Sequence, residues 1–169
     1  MTTLTEDEIL EQLDARADLP AFMSAAHEIL SAGVRRFLPS LFVNNDAEIL
    51  EYAVKPLLAR SGPLDDIDVA LRLIFALGKM DKWLYADITS FSQFHDYVMK
   101  QEAPPGFQDE VTWDFISNIN TITRNDVFWQ ALKGMKFADF AVYSQARYTS
   151  MVKTAMVLAV TEILKELTL

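Results

Sequence analysis

The sequence predicts an all-α, single-domain, multi-helix bundle of about seven helices, and three observations carry that expectation. Apolar residues recur at spacings of three and four along most of the chain. No β-branched run alternates with period two for long enough to make a strand, and no internal repeat is visible. The stretch from about Phe137 to Leu167 contains neither glycine nor proline, and between Ala155 and Val160 its apolar residues occupy every side of a helix.

With 169 residues, of which 51% are hydrophobic and 11% aromatic, the chain is long enough to bury roughly 70% of its unfolded surface around one core and short for two. One domain, residues 1–169, is expected. The first helix is announced by Thr5 and Glu8, which fit a capping box, followed by the stripe Ile9, Leu10 and Leu13. From Pro20, the positions Met23, His27, Leu30, Val34, Phe37 and Leu41 make one apolar face of a helix ending around Pro39. After Asn44-Asn45-Asp46, the residues Leu50, Ala53, Val54, Leu57 and Leu58 give helical spacing again, with Pro56 removing a backbone donor inside it.

The stretch SGPLDDID at Ser61–Asp68 has the composition of a functional loop, yet helix-end chemistry accounts for it. Gly62 suits the left-handed residue that ends a helix, Pro63 the first turn of the next, and Asp65 and Asp66 its positive dipole end. Ile67, Ala70, Leu71, Ile74 and Leu77 then form a stripe, Asp68 and Arg72 an i,i+4 pair, and Gly78 the stop. A cation site on Asp65, Asp66 and Asp68 is the weaker alternative, because ligand spacing and a distal glutamate are lacking. Asp81 reads as the N-cap of a helix whose face is Leu84, Ile88, Phe91, His95 and Val98, ending before Ala103-Pro104-Pro105-Gly106. Two shorter helices follow, one with Val111, Phe115, Ile116 and Ile119, the other from an Asn125 cap to about Gly134.

The long apolar C-terminal helix must be covered all round. It either runs through the bundle or meets a second copy of the chain in a twofold seam that would include Met156 and Val160. A homodimer is expected.

Fifteen Lys and Arg against twenty-four Asp and Glu give a net charge of −9, a field that repels phosphate backbones. Arg35 and Arg36 are the compact basic spot on which the alternative, a direct DNA-binding repressor, would rest. The polar run Asn118 to Asn125 reads as a helix end and loop. The acidic first helix suggests instead that Asp7, Glu8 and Glu11 meet a protein partner bearing a basic patch. Zero cysteines remove disulfides and thiolate chemistry and suit the cytoplasm. The N-terminus lacks the basic, then apolar, order of a secretory signal.

The dispersed glycines make no nucleotide-binding fingerprint, and His27 and His95 have no second ligand at metal spacing. Each reads as a neutral histidine hydrogen-bonded within the bundle. No catalytic residue, cofactor or metal is expected, so an enzyme, or a small-molecule-binding helical protein, ranks below a regulator.

The block EYAVKPLLARSGPLDDIDVALRLIFALGKMDKWLYADI, Glu51 to Ile88, resembles the central signature of the mannitol operon repressor family. FLPSLFV, TWDFISN, MKFADF and the MVKTA helix extend the likeness over the whole chain to the YggD-type branch. The resemblance implies an all-helical cytoplasmic transcriptional regulator without its own DNA-binding motif. It would act by contact with a DNA-bound transcription factor or a sugar-transport signalling protein. Mannitol repressors proper carry a further basic C-terminal tail, whereas this sequence ends at Glu166-Leu167-Thr168-Leu169; if that tail contributes to regulation, the mannitol-specific role is not expected to carry over.

Overall fold

The computed structural model describes residues 4–43, 45–137 and 142–168, and among these every regular element is helical. Ten α-helical segments occur among the described residues, more than the sequence suggests, for two local reasons. The third expected helix is broken into α3 (Ala47–Ile49), a π-turn over Leu50–Val54, and α4 (Lys55–Leu58). Pro56 has no N–H to donate, and a wide turn just before it accommodates the lost i→i−4 bond. A one-turn helix, α8 (Asn120–Thr123), stands where the sequence reads as a polar loop.

At the N-terminus, α1 (Glu6–Asp14) opens on a capping box in which the Thr5 side chain accepts from Glu8 N–H and Glu8 accepts from Thr5 N–H at 2.7 Å. Asp18 caps α2 (Leu19–Phe37), whose last turn tightens into a 3-10 turn, Leu38–Leu41, at Pro39. Next, α5 spans Ile67–Ala76 and ends in a Schellman motif: Gly78, at φ 67°, donates to Phe75 and Lys79 to Ile74. Then come α6 (Lys82–Lys100), α7 (Glu110–Ser117) and α9 (Asp126–Lys136), the last capped by Asn125.

The final helix, α10 (Val142–Thr168), packs against α1, α2, α6, α7, α8 and α9. Val152, Met156, Val160 and Ile163 on it have no accessible surface, each worth about 1.5–3 kcal/mol of transfer free energy. Its approach to α2 depends on Gly33: a Cβ there would stand 2.6 Å from Leu164 Cδ2. A second seam joins α6 to α7 through Phe115, stacked on Phe94 at 4.2 Å and edge-on to Phe91 at 5.0 Å.

Asp87 is the fully buried carboxylate of α6. It accepts from the N–H and side-chain amide of Asn120 (2.7 and 2.9 Å) and from the N–H and hydroxyl of Thr121 (2.8 and 2.5 Å). Four donors satisfy the ion, so its burial positions α8 against α6 rather than leaving a bare charge.

The acidic loop before α5 is organised differently from the sequence expectation. Ser61, not Gly62, has the left-handed backbone, at φ 64°. Gly62 is needed for space, since a Cβ would lie 2.6 Å from Pro56 O and 2.8 Å from Ala59 O. Pro63 precedes the helix rather than opening it, because Asp66 is the cap, accepting from Asp68 and Val69 N–H.

Candidate functional site

The residues singled out from sequence occupy three separate places. Asp7, Glu8 and Glu11 lie exposed on α1, where Glu8 is engaged in the capping box. Glu11 lines a cleft of about 320 Å³ between α1 and α10, with Leu10, Lys153 and Leu158. Met156 and Val160 are fully enclosed by their own chain. Neither side chain is available to a second copy, which corrects their reading as a dimer seam in favour of the helix running through the bundle. Arg35 and Arg36 end α2 facing different neighbours: Arg35 approaches Asp65 at 3.7 Å, while Arg36 lines a cavity of about 180 Å³ with Leu4, Ile9 and Lys165. The two do not form a common cationic patch.

Asp65, Asp66 and Asp68 do not converge. Asp65 accepts from Ser61 N–H and faces Arg35, Asp66 caps α5, and Asp68 accepts from Ser92 Oγ at 3.4 Å across to α6. Among the described residues no group of three or more His, Asp or Glu is arranged to hold a metal ion.

What the sequence reading missed is a meeting. His27 of α2 and His95 of α6, the chain's two histidines, stack face to face with ring centroids 4.2 Å apart and planes 5° from parallel. Both lie on the core-facing stripes of helices that pack along their length, so shared periodicity on two long neighbouring helices was the available signal. His95 Nδ1 lies 3.2 Å from Asp96 Oδ1, which orients that ring. Burial pushes the His27 imidazole below its ordinary value, His95 and Arg35 push the same way, and Asp96 and Asp68 oppose them. At the junction of α2, α5 and α6, His95, Asp96, Asp68 and Arg35 thus lie within electrostatic reach of His27, with the Ser92 hydroxyl on Asp68.

The clefts around α1 and α10 lie elsewhere and hold charges already engaged with each other. Lys153 donates to the Asp14 carbonyl at 2.8 Å, and Lys165 pairs with Glu6 at 2.6 Å. The histidine junction is the stronger candidate, because it holds a half-buried imidazole that burial and charges from three helices displace from its ordinary value.

Residues 5–168 match the family model described as MtlR, mannitol repressor. The chain is 70% identical over 168 residues to proteins named Fumarase E from Shigella flexneri and Escherichia coli K12, covering 99% of each chain. It is 27% identical to the mannitol operon repressor of Escherichia coli K12 over 99% of this chain and 85% of that protein. The crystal structure of a possible transcriptional regulator, YggD, from Shigella flexneri superposes with a TM-score of 0.93 at 70% identity, covering 98% of this chain and 99% of that one. The MtlR–HPr complex from Escherichia coli superposes with a TM-score of 0.79 at 25% identity, covering 97% of this chain and 98% of that one. The sequence reading ranked an enzyme last, yet two relatives carry an enzyme's name; the repressor fold and that name coexist in one lineage. On the match across residues 5–168, the chain belongs to the mannitol repressor family.

Proposed function

We propose that this chain catalyses the reversible addition of water to fumarate. The observation that carries the reading is 70% identity, over nearly the full length of both chains, to proteins named Fumarase E. A hydratase needs a group that takes a proton from water near neutral pH, and an imidazole held neutral by burial is suited to that task. The chain contains no cysteine, so a cysteine-ligated iron–sulfur cluster has no ligands here. Incubating purified protein with fumarate and following malate by NMR, then running the reaction from malate, tests it: turnover in both directions is expected, and none in either would overturn it.

A second reading is regulation by protein contact, supported by the family match and by the MtlR–HPr complex, in which a relative binds another protein. The partner would be a DNA-bound transcription factor or a sugar-transport signalling protein of the HPr kind, engaged by the acidic face of Asp7, Glu8 and Glu11. A net charge of −9 and the separation of Arg35 from Arg36 favour that route over direct DNA contact. Affinity capture from nuclease-treated cell extract tests it: a specific regulator co-purifying supports contact, and nothing but DNA in untreated extract would favour direct binding.

A further inference from the structure

We infer that His27 and His95 form the acid–base pair of this hydration and that Arg35 holds a substrate carboxylate, an inference that rests on the fumarase reading above. Fumarate is a dianion, so the site must offer a cation; water must lose a proton to attack one vinyl carbon; and the other carbon must gain one.

These demands meet at the junction of α2, α5 and α6. His27 is the imidazole that burial, His95 and Arg35 keep unprotonated, the state a general base requires. His95 stacks on it at 4.2 Å and is oriented through Nδ1 by Asp96. That leaves Nε2 as the nitrogen free to deliver a proton when the ring carries two. Arg35 has its side chain 53% exposed and touches Asp65 at the long distance of 3.7 Å, so a carboxylate can displace that contact at little cost. The charged groups facing His27 are Arg35 on its own helix, Asp68 on α5, and His95 with Asp96 on α6. The two carboxylates set how much positive charge the pair holds when a dianion arrives.

The step balances without an oxidant or reductant. His27 takes a proton from water as the new C–O bond forms, the π electrons move to the neighbouring carbon and onto its carboxylate, and protonated His95 supplies a proton to that carbon. Transfer between the rings through solvent then restores a neutral His27 and a protonated His95, and the reverse sequence dehydrates malate.

The test is steady-state kinetics of the full chain with fumarate. His27→Gln and His95→Gln should each lower kcat by about 10²–10⁴-fold, the usual contribution of general acid–base catalysis, with the helical circular dichroism retained. Arg35→Gln should raise KM about tenfold or more, the loss of one charge-assisted contact. Wild-type protein without turnover would overturn the fumarase reading itself. Wild-type turnover with both histidine variants within threefold of it would overturn only this assignment. The pH profile of wild-type kcat/KM gives a readout independent of how the variants fold. An acid limb with its midpoint below the ordinary histidine value of 6.5 is expected, because His27 must be neutral to act. A flat profile from about pH 5 to 8 would contradict the role of His27.

Discussion

Two polar junctions lie on α6 about two turns apart, and they have opposite characters. At Asp87 the carboxylate is wholly buried and four donors from Asn120 and Thr121 converge on it. At His95 the imidazole, its side chain 18% exposed, has a histidine on one face and a carboxylate at its edge. Cation, imidazoles and carboxylates there pull the His27 protonation equilibrium in opposing directions. The first junction has one state and serves as architecture. The second has competing states, the property acid–base chemistry needs.

The largest effect that could break this contrast is at the closed junction. Asp87→Ala should lower unfolding free energy by about 2–4 kcal/mol, the cost of losing hydrogen bonds to a buried carboxylate and leaving their donors unpaired, measured by urea denaturation. A loss under about 1 kcal/mol would show that Asp87 is not what holds α8 to α6. Gly33→Val, which forces a side chain into the contact with Leu164 and Leu167, should cost about 1–3 kcal/mol by overpacking in the same experiment.

A third polar group sharpens the rule that satisfaction, rather than burial, decides the outcome. The Tyr148 hydroxyl is buried without a hydrogen-bond partner among the described residues, so Tyr148→Phe should change stability by less than about 1 kcal/mol or raise it. Burial, aided by Glu110, pushes its phenol up to about 12. The unfolded chain therefore ionises first, and the stability associated with Tyr148 is complete below about pH 10 and lost as pH rises toward 12. Alkaline denaturation of the Phe variant should be less steep.

The smallest effect at neutral pH belongs to the open junction. His27→Gln should shift stability by less than about 1 kcal/mol at pH 7 yet flatten its acid dependence. With the folded value below the unfolded 6.5, the unfolded chain binds the proton first, so wild-type stability falls as pH drops through 6.5 and toward the folded value. Thermal melts across that range check it, and an unchanged slope in the variant would remove His27 as the source.

How much of this was legible in the sequence follows from the range of each interaction. The Thr5–Glu8 box, the Asp66 neighbourhood, the Asn125 cap and the Gly78 stop are local, and their residues name their own roles. The face Leu84, Ile88, Phe91 and Val98 is buried because helical period alone selects it. Three features were hidden because each depends on partners distant in the chain or on space. Gly62 looked like a conformational glycine and is a packing one, α8 is held by an aspartate 33 residues earlier, and the two histidines acquire meaning only when α2 and α6 meet. The part of the expected last helix at 138–141 lies outside the described residues.

The most direct test is an NMR titration of the two imidazole rings with and without fumarate, feasible because the chain has only two histidines. The account expects one ring to titrate below 6.5 and both ring resonances to move saturably as fumarate is added, with the movement lost in Arg35→Gln. Rings that titrate alike and ignore fumarate while the protein turns it over would place the chemistry elsewhere and contradict the account.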